Sequence, residues 1–401
     1  MQLKQVHYII ILLFFLVITL RGQRSSEAIA VADSLISEGK YWSAIGFLYE
    51  VDPDDTNPTI SLKKQEIAFE YYIYAVGGSI FSLSDFVGPI DITLVRGKAG
   101  EYQAVVFRSD SVFTSIISQY PERWEGPYGL GMYYYWCSNN CGCCLEGCEG
   151  LIPRAADYFL DAQRLGADDS HSHFVIGLNY HYQGNLEEAV RCYNLSIERD
   201  SDFPTSHYNL ALAQLSLGNV QDALKPARAA CTLYTDKHLK ADAVSLLGSI
   251  LKDLGNIPEA IKAYSSALAI DPHHATSINL ILLLMFELND WDGAFDVTLR
   301  YIQEAPSDYQ TYQTIIQPWY RSSKPLNIID VMDQALAPTT DVSERSVITF
   351  FCAEFLKVLG EPGKALERYE LADKLLLDAG DAHLDLLEIA QEQITKLRSN
   401  R

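Results

Sequence analysis

Five cysteines crowd into one short string, WCSNNCGCCLEGCEG: Cys137, Cys141, Cys143, Cys144 and Cys148. Thiols this close can do two kinds of chemistry. In an oxidising compartment they pair into disulfides that staple an otherwise loose, glycine-rich insertion. As thiolates they would instead hold zinc, copper(I) or an iron–sulfur cluster. The spacing C-x3-C-x-C-C-x3-C matches no pair-of-pairs zinc frame, and an odd number leaves one thiol over or paired outside the loop. A redox pair at Cys141 and Cys144 lacks an evident helix amino terminus to depress a thiol pKa. Cys192, Cys231 and Cys352 lie singly within helical patterns and read as small core residues.

Histidine is the other candidate ligand. His171, His173, His181 and His207 are near one another in sequence, but a metal needs three or four of them to converge. His171 and His173, two apart on a helix, point in different directions, so the group reads as surface histidines. No G-x-S-x-G, P-loop, H-E-x-x-H or G-x-G-x-x-G string occurs. No catalytic residue, cofactor or metal site is therefore assigned, and a non-enzymatic role is expected. A formal charge of −21 repels phosphate backbones and argues against a nucleic-acid partner.

What must position these groups is a chain of 401 residues that opens with an unbroken apolar run, Tyr8 to Leu20, after Lys4. That run suits the core of a signal peptide and is short for a transmembrane helix. Gly22 offers a cleavage point, although Leu20, Arg21 and Arg24 weaken it. The expectation is export, to a periplasmic or other extracytoplasmic space. If the segment stays uncleaved, residues 8–20 tether the chain to a membrane. Export favours the disulfide reading of the cysteine loop.

Beyond the leader, one unit recurs about every 34 residues. Gly184, Gly218, Gly255 and then Asn289 each follow an apolar helix and precede a second one, with Ala189, Ala223, Ala260 and Ala294 five residues on. The cleanest copy begins at Ala241, carries Leu247, Gly248, Ala260 and Tyr264, and closes at Pro272. Small residues at Gly248 and Ala260 let paired backbones approach, and Pro272 ends the second helix. A period of this length marks stacked helical hairpins, each burying its face against its neighbours.

This pattern resembles the tetratricopeptide repeat. The resemblance implies an all-α fold, a right-handed superhelical α-solenoid of helix–turn–helix units, and a concave groove that binds proteins or peptides. The expected organisation is a signal peptide or anchor over 1–22 and an N-terminal helical, repeat-like region over 23–121. A divergent repeat follows over 122–169, with the cysteine insertion at 137–150, then the main array over 170–380 and a capping helix over 381–401. Residues 90–107 resist assignment, as a hairpin around Gly97 to Gly100 or a loop entering a helix. The Asn positions of the carboxylate clamp known in the family hold Leu178, Leu212, Ser249, Leu283 and Gln317 here, so that mode of recognition is not expected.

Helix geometry selects the groove-facing residues of each first helix: His171, Phe174, His181, Tyr182, Tyr208, Asn279, Phe286 and Gln313. Aromatics with amide neighbours suit an extended peptide or an amphipathic helix. Phe174 and Phe286 can equally tuck between repeats as packing. The leading expectation is an exported scaffold holding a protein or peptide. One alternative is a periplasmic accessory of a solute transporter binding a small apolar ligand, with Tyr133, Tyr134, Tyr135 and Trp136 lining a pore. Another is a thiol- or metal-handling protein acting through the cysteine loop.

Overall fold

A computed structural model describes residues 24–98, 100–140 and 150–399. The chain forms two compact units, the first ending at Ser206 and the second beginning at His207, inside the stretch read from sequence as one array.

The first unit starts with helices α1 (24–37), α2 (Tyr41–Val51) and α3 (Pro58–Glu70). Three short strands follow: β1 (Tyr74–Val76), β2 (Ile80–Leu83) and β3 (Gln103–Val106). Five helices complete it: α4 (Ser109–Gln119), α5 (Glu125–Asn139), α6 (Leu151–Arg164), α7 (Ser170–Tyr182) and α8 (Leu186–Arg199). Helices α5 and α6 pack as one hairpin and α7 and α8 as the next, with α5 also against α7.

The strands form an antiparallel sheet in the order β1-β2-β3, with Phe81 opposite both Ala75 and Val105. This corrects the helical reading of 23–121. The tight turn lies at Gly77 and Gly78, both at positive φ, rather than around Gly97 to Gly100. Two consecutive left-handed residues match the right-handed twist of the flanking strands. Phe81, Leu83 and Val105 turn inward, and Phe81 meets the Phe69 and Trp136 rings with centroids 5.6 Å away in each case. Strands of three or four residues are too short to show a period in the sequence. Trp136 is thereby a core residue of this unit rather than the lining of a pore.

The second unit has only helices as regular elements among its described residues. It contains α9 (Pro204–Ser216, all but its first turn), α10 (Val220–Leu233), α11 (Lys237–Asp253), α12 (Ile257–Ile270), α13 (Ala275–Glu287) and α14 (Trp291–Glu304). It continues through α15 (Tyr309–Arg321), α16 (Asn327–Leu336), α17 (Val342–Val358), α18 (Pro362–Asp378) and α19 (Leu384–Ser399). Hairpins α11–α12, α13–α14 and α17–α18 stack so that first helices meet first helices (α11 on α13, α13 on α15) and the second helix α14 meets α16. This is the α-solenoid arrangement that the 34-residue period predicts. Helix α19 packs on α18 and α17 as the end cap.

The sequence signals act where expected. At the α11–α12 turn Gly255 takes φ +80°, and Asn256 N–H closes onto Leu251 C=O at 2.9 Å. Asn289 adopts the same left-handed state with φ +58°, and Asp290 N–H bonds Met285 C=O at 2.8 Å. These are Schellman-type closures that satisfy the last carbonyls of each first helix. Gly248 is needed for a different reason: a Cβ there would fall 2.7 Å from the Tyr264 ring of the facing helix. Close helix crossing therefore depends on a missing side chain.

Candidate interaction surfaces

In the first unit, Asp169 starts α7 by accepting the backbone N–H groups of His171 at 2.9 Å and Ser172 at 3.1 Å. Tyr128 Oη donates to the same carboxylate oxygen at 3.1 Å, which ties α5 to the start of α7. His171, the second residue of the helix, lies inside a ring of aromatics. Its neighbours are Tyr135 at 5.1 Å, Phe203 at 5.9 Å, Phe159 at 6.1 Å and Phe174 at 6.2 Å between ring centroids. Its Nε2 is shut off from solvent and has no hydrogen-bond partner among the described residues, and neither has Asp169 Oδ2. Desolvation pushes the His171 pKa down to about 4, against the opposing pull of Asp169.

That burial predicts an acid-sensitive unit. The folded-state pKa lies below the ordinary value near 6.5, so between the two the unfolded chain binds the extra proton and stability falls as pH drops. The loss approaches about 3 kcal/mol once pH reaches the folded value. Urea midpoints between pH 7 and pH 4.5 should decline less steeply in His171→Phe than in the parent. Equal slopes would refute the assignment.

The other first-helix candidates of this unit divide by exposure. Phe174 is only 2% exposed, wedged against Phe203 and Tyr193, and offers no surface to a partner. His181 is half-buried, with Nδ1 3.5 Å from Tyr193 Oη, and burial lowers its pKa. Tyr182 is 71% exposed and available. His173 faces away from His171 and pairs with Asp168 at 2.9 Å. Arg199 holds the same carboxylate at 2.7 Å and, with His173, draws Asp168 down to about 2.

In the second unit, Tyr208 packs edge-on to Tyr234 with centroids 6.3 Å apart. Asn279 returns its amide to Ala275 C=O at 3.0 Å. Phe286 lies between Trp291 and Trp319, at 5.4 Å and 4.9 Å, and is half-buried packing. Gln313 is exposed on α15. Tyr182 and Gln313 are thus the selected residues left most open, one in each unit.

Sequence reasoning overlooked Phe203 as a wall of the His171 cage. Its one visible signal is an aromatic residue placed in the polar turn Asp200–Asp202 just before Pro204. Cys137 is buried at the end of α5, whereas Cys141, Cys143, Cys144 and Cys148 lie outside the described residues. Residues 8–20 also lie outside them. Among the described residues no cluster of three or more His, Cys, Asp or Glu side chains is placed to hold a metal, and no helix is long and apolar enough to cross a membrane.

Two family profiles match this chain: "TPR repeat" over residues 177–218 and "Tetratricopeptide repeat" over residues 245–309. Tetratricopeptide repeat protein 8 of Caenorhabditis elegans is 29% identical over 109 residues, which is 27% of this chain and 21% of that protein. The chain therefore spans about a fifth of that relative's length. Among solved structures, the Cut9–Hcn1 hetero-tetramer of the APC/C aligns over 81% of this chain and 55% of its own, at 13% identity and a TM-score of 0.42. PilW, a type IV pilus biogenesis factor, aligns over 62% and 94%, at 18% identity and a TM-score of 0.41.

Proposed function

Because this chain carries tetratricopeptide repeats, we propose that it is an exported scaffold that holds a partner protein or peptide on the first-helix faces of its hairpins. The repeats themselves support a role in protein–protein interaction. The observation that carries the finer reading is that each unit leaves one selected first-helix residue open, the aromatic Tyr182 in the first and the amide Gln313 in the second, while the other selected residues are buried or half-buried. An exposed tyrosine is among the residue types that anchor recognition surfaces. Export rests on the apolar run at residues 8–20.

The test places a photo-crosslinking benzoylphenylalanine at position 182 or 313, with Glu188 on α8 as the control site. One dominant crosslinked protein is expected from positions 182 and 313 and not from 188. Equal yields at all three sites would remove the first-helix assignment.

A second measurement addresses the leader and the cysteine loop together. The intact mass of the protein purified from its producing cells is expected to lack residues 1–22. Alkylation with prior reduction is expected to add more mass than alkylation without it. Equal additions would reject the stapled loop.

A further inference from the structure

Two cavities open between second helices of the second unit, and they occupy the same place in successive repeats. The first, about 170 Å³, is lined by Leu268, Ala269, Pro272, Tyr301 and Glu304 among others. The second, about 340 Å³, is lined by Ile302, Gln303, Pro306, Ala335 and Pro338 among others. Each residue of the second set lies 34 positions beyond its counterpart in the first, which is one repeat. The crevice between α12 and α14 is therefore repeated between α14 and α16. Its enlargement has a visible cause: Ala335 stands where Tyr301 stands one repeat earlier, and α16 has ten residues against fourteen in α14.

The two crevices differ in charge as well as size. Asp341 and Glu344 both line the wider one. Arg345, the adjacent cation, is turned to the backbone, where its guanidinium donates to Leu336 C=O at 3.2 Å and Thr339 C=O at 2.9 Å. Asp341 uses one oxygen to cap α17 through Glu344 N–H at 2.9 Å. The floor is apolar, from Ile302, Ala335 and Ile348, all buried. An aliphatic stem ending in a cation, as in Lys or Arg, matches such a site: the stem packs below and the charge meets carboxylates at the mouth. The narrower crevice, floored by the buried Ile278, Val297 and Tyr301 and lined by one charge of each sign, Arg300 and Glu304, suits a plain aliphatic side chain.

Adjacent packed helices lie about 8–10 Å apart. A polyproline-II segment rises about 3.1 Å per residue with about three residues per turn, so residues i and i+3 lie on one side at about that separation. We propose that this row of crevices, on the second-helix side of the repeats, docks an extended basic segment of the partner, with Lys or Arg in the α14–α16 crevice and an aliphatic residue in the α12–α14 crevice. The proposal rests on the peptide-binding reading above and gives it a second surface and a partner chemistry. The protein's charge of −21 would draw such a segment in.

Fluorescein-labelled nonapeptides in a Pro/Ala background test it, by anisotropy against the full chain. Lys-x-x-Leu and Leu-x-x-Lys versions cover both chain directions. One of them is expected to bind, and its Glu-for-Lys counterpart is expected not to. Glu344→Gln, which removes one charge-assisted contact, and, independently, Gln303→Lys, which adds a like charge at the exposed rim, should each weaken binding by about tenfold. Affinity unchanged by both substitutions, equal binding of the acidic peptide, or binding of neither basic peptide would overturn the proposal. So would a dimer in sedimentation that Gln303→Lys disperses, since the crevices would then serve a second copy of this chain. Crosslinking at positions 182 and 313 reads the first-helix scaffold separately, so that reading can survive while this one falls.

Discussion

Replacing Trp319 by Ala is expected to lower the stability of the second unit by about 3–5 kcal/mol, the range for emptying a buried aromatic site. Trp319 is 1% exposed on α15 and is among the largest fully buried side chains. Its ring meets Phe286 edge-on at 4.9 Å, and its Nε1–H donates to Thr298 Oγ1 on α14 at 2.9 Å. Thr298 also donates to Ala294 C=O at 2.7 Å, so its own proton stays satisfied after truncation. The cost is therefore mostly lost packing. Trp319→Phe, which keeps most of the volume and loses one neutral hydrogen bond, should cost about 1 kcal/mol. Urea denaturation followed by circular dichroism separates the two. In a repeat stack the damage should stay with the neighbouring hairpins, because each contacts only its neighbours. A loss under about 1 kcal/mol for Trp319→Ala would contradict this account.

Lys64→Ala should destabilise the first unit by a similar amount, about 3–5 kcal/mol, through a different mechanism. Lys64 is fully buried on α3, and its Nζ lies 2.5 Å from Asp55 Oδ1 and 3.8 Å from Asp52 Oδ2. It also donates to Asp52 C=O and sits 4.0 Å from the centre of the Tyr49 ring. Burial raises the Asp55 pKa against the opposing pull of Lys64, so removing the lysine strands a carboxylate that is already poorly solvated. The informative pair is Lys64→Met, which keeps the aliphatic stem, and Lys64→Met with Asp55→Asn. The single variant should be strongly destabilised and the double variant should regain most of the loss, because a neutral partner needs no counter-ion. Asn is suited to position 55, where φ is +53°. No recovery in the double variant would show that the charge pair is not what Lys64 contributes.

How much of this was legible depends on the range of the cause. The hairpins were readable because their determinants are local: a left-handed turn residue at Gly255 or Asn289, and small residues at Gly248 and Ala260 where helices cross. Which first-helix residues stand open was only partly readable. Helical periodicity selected Tyr182 and Gln313, which stand open. It also selected Phe174 and Phe286, which neighbouring elements cover. Periodicity reports which side of a helix a residue occupies, and it carries no information on what stands opposite.

The same boundary separates the remaining features. Repetition in the sequence determined that the chain stacks helical hairpins, because a 34-residue unit with small crossing residues and a terminal Pro has no better way to bury its apolar face. Tertiary structure alone decided that Tyr74–Val76, Ile80–Leu83 and Gln103–Val106 form a sheet, since strands this short are stabilised by the Phe69, Phe81 and Trp136 cluster and not by their own pattern. It also decided that His171 lies in an aromatic cage, and that Tyr301 giving way to Ala335 widens a crevice. Each of these depends on residues brought together from distant parts of the chain. Local sequence fixes the conformation of a segment, whereas burial and cavity shape are set by whatever the folded chain places against it.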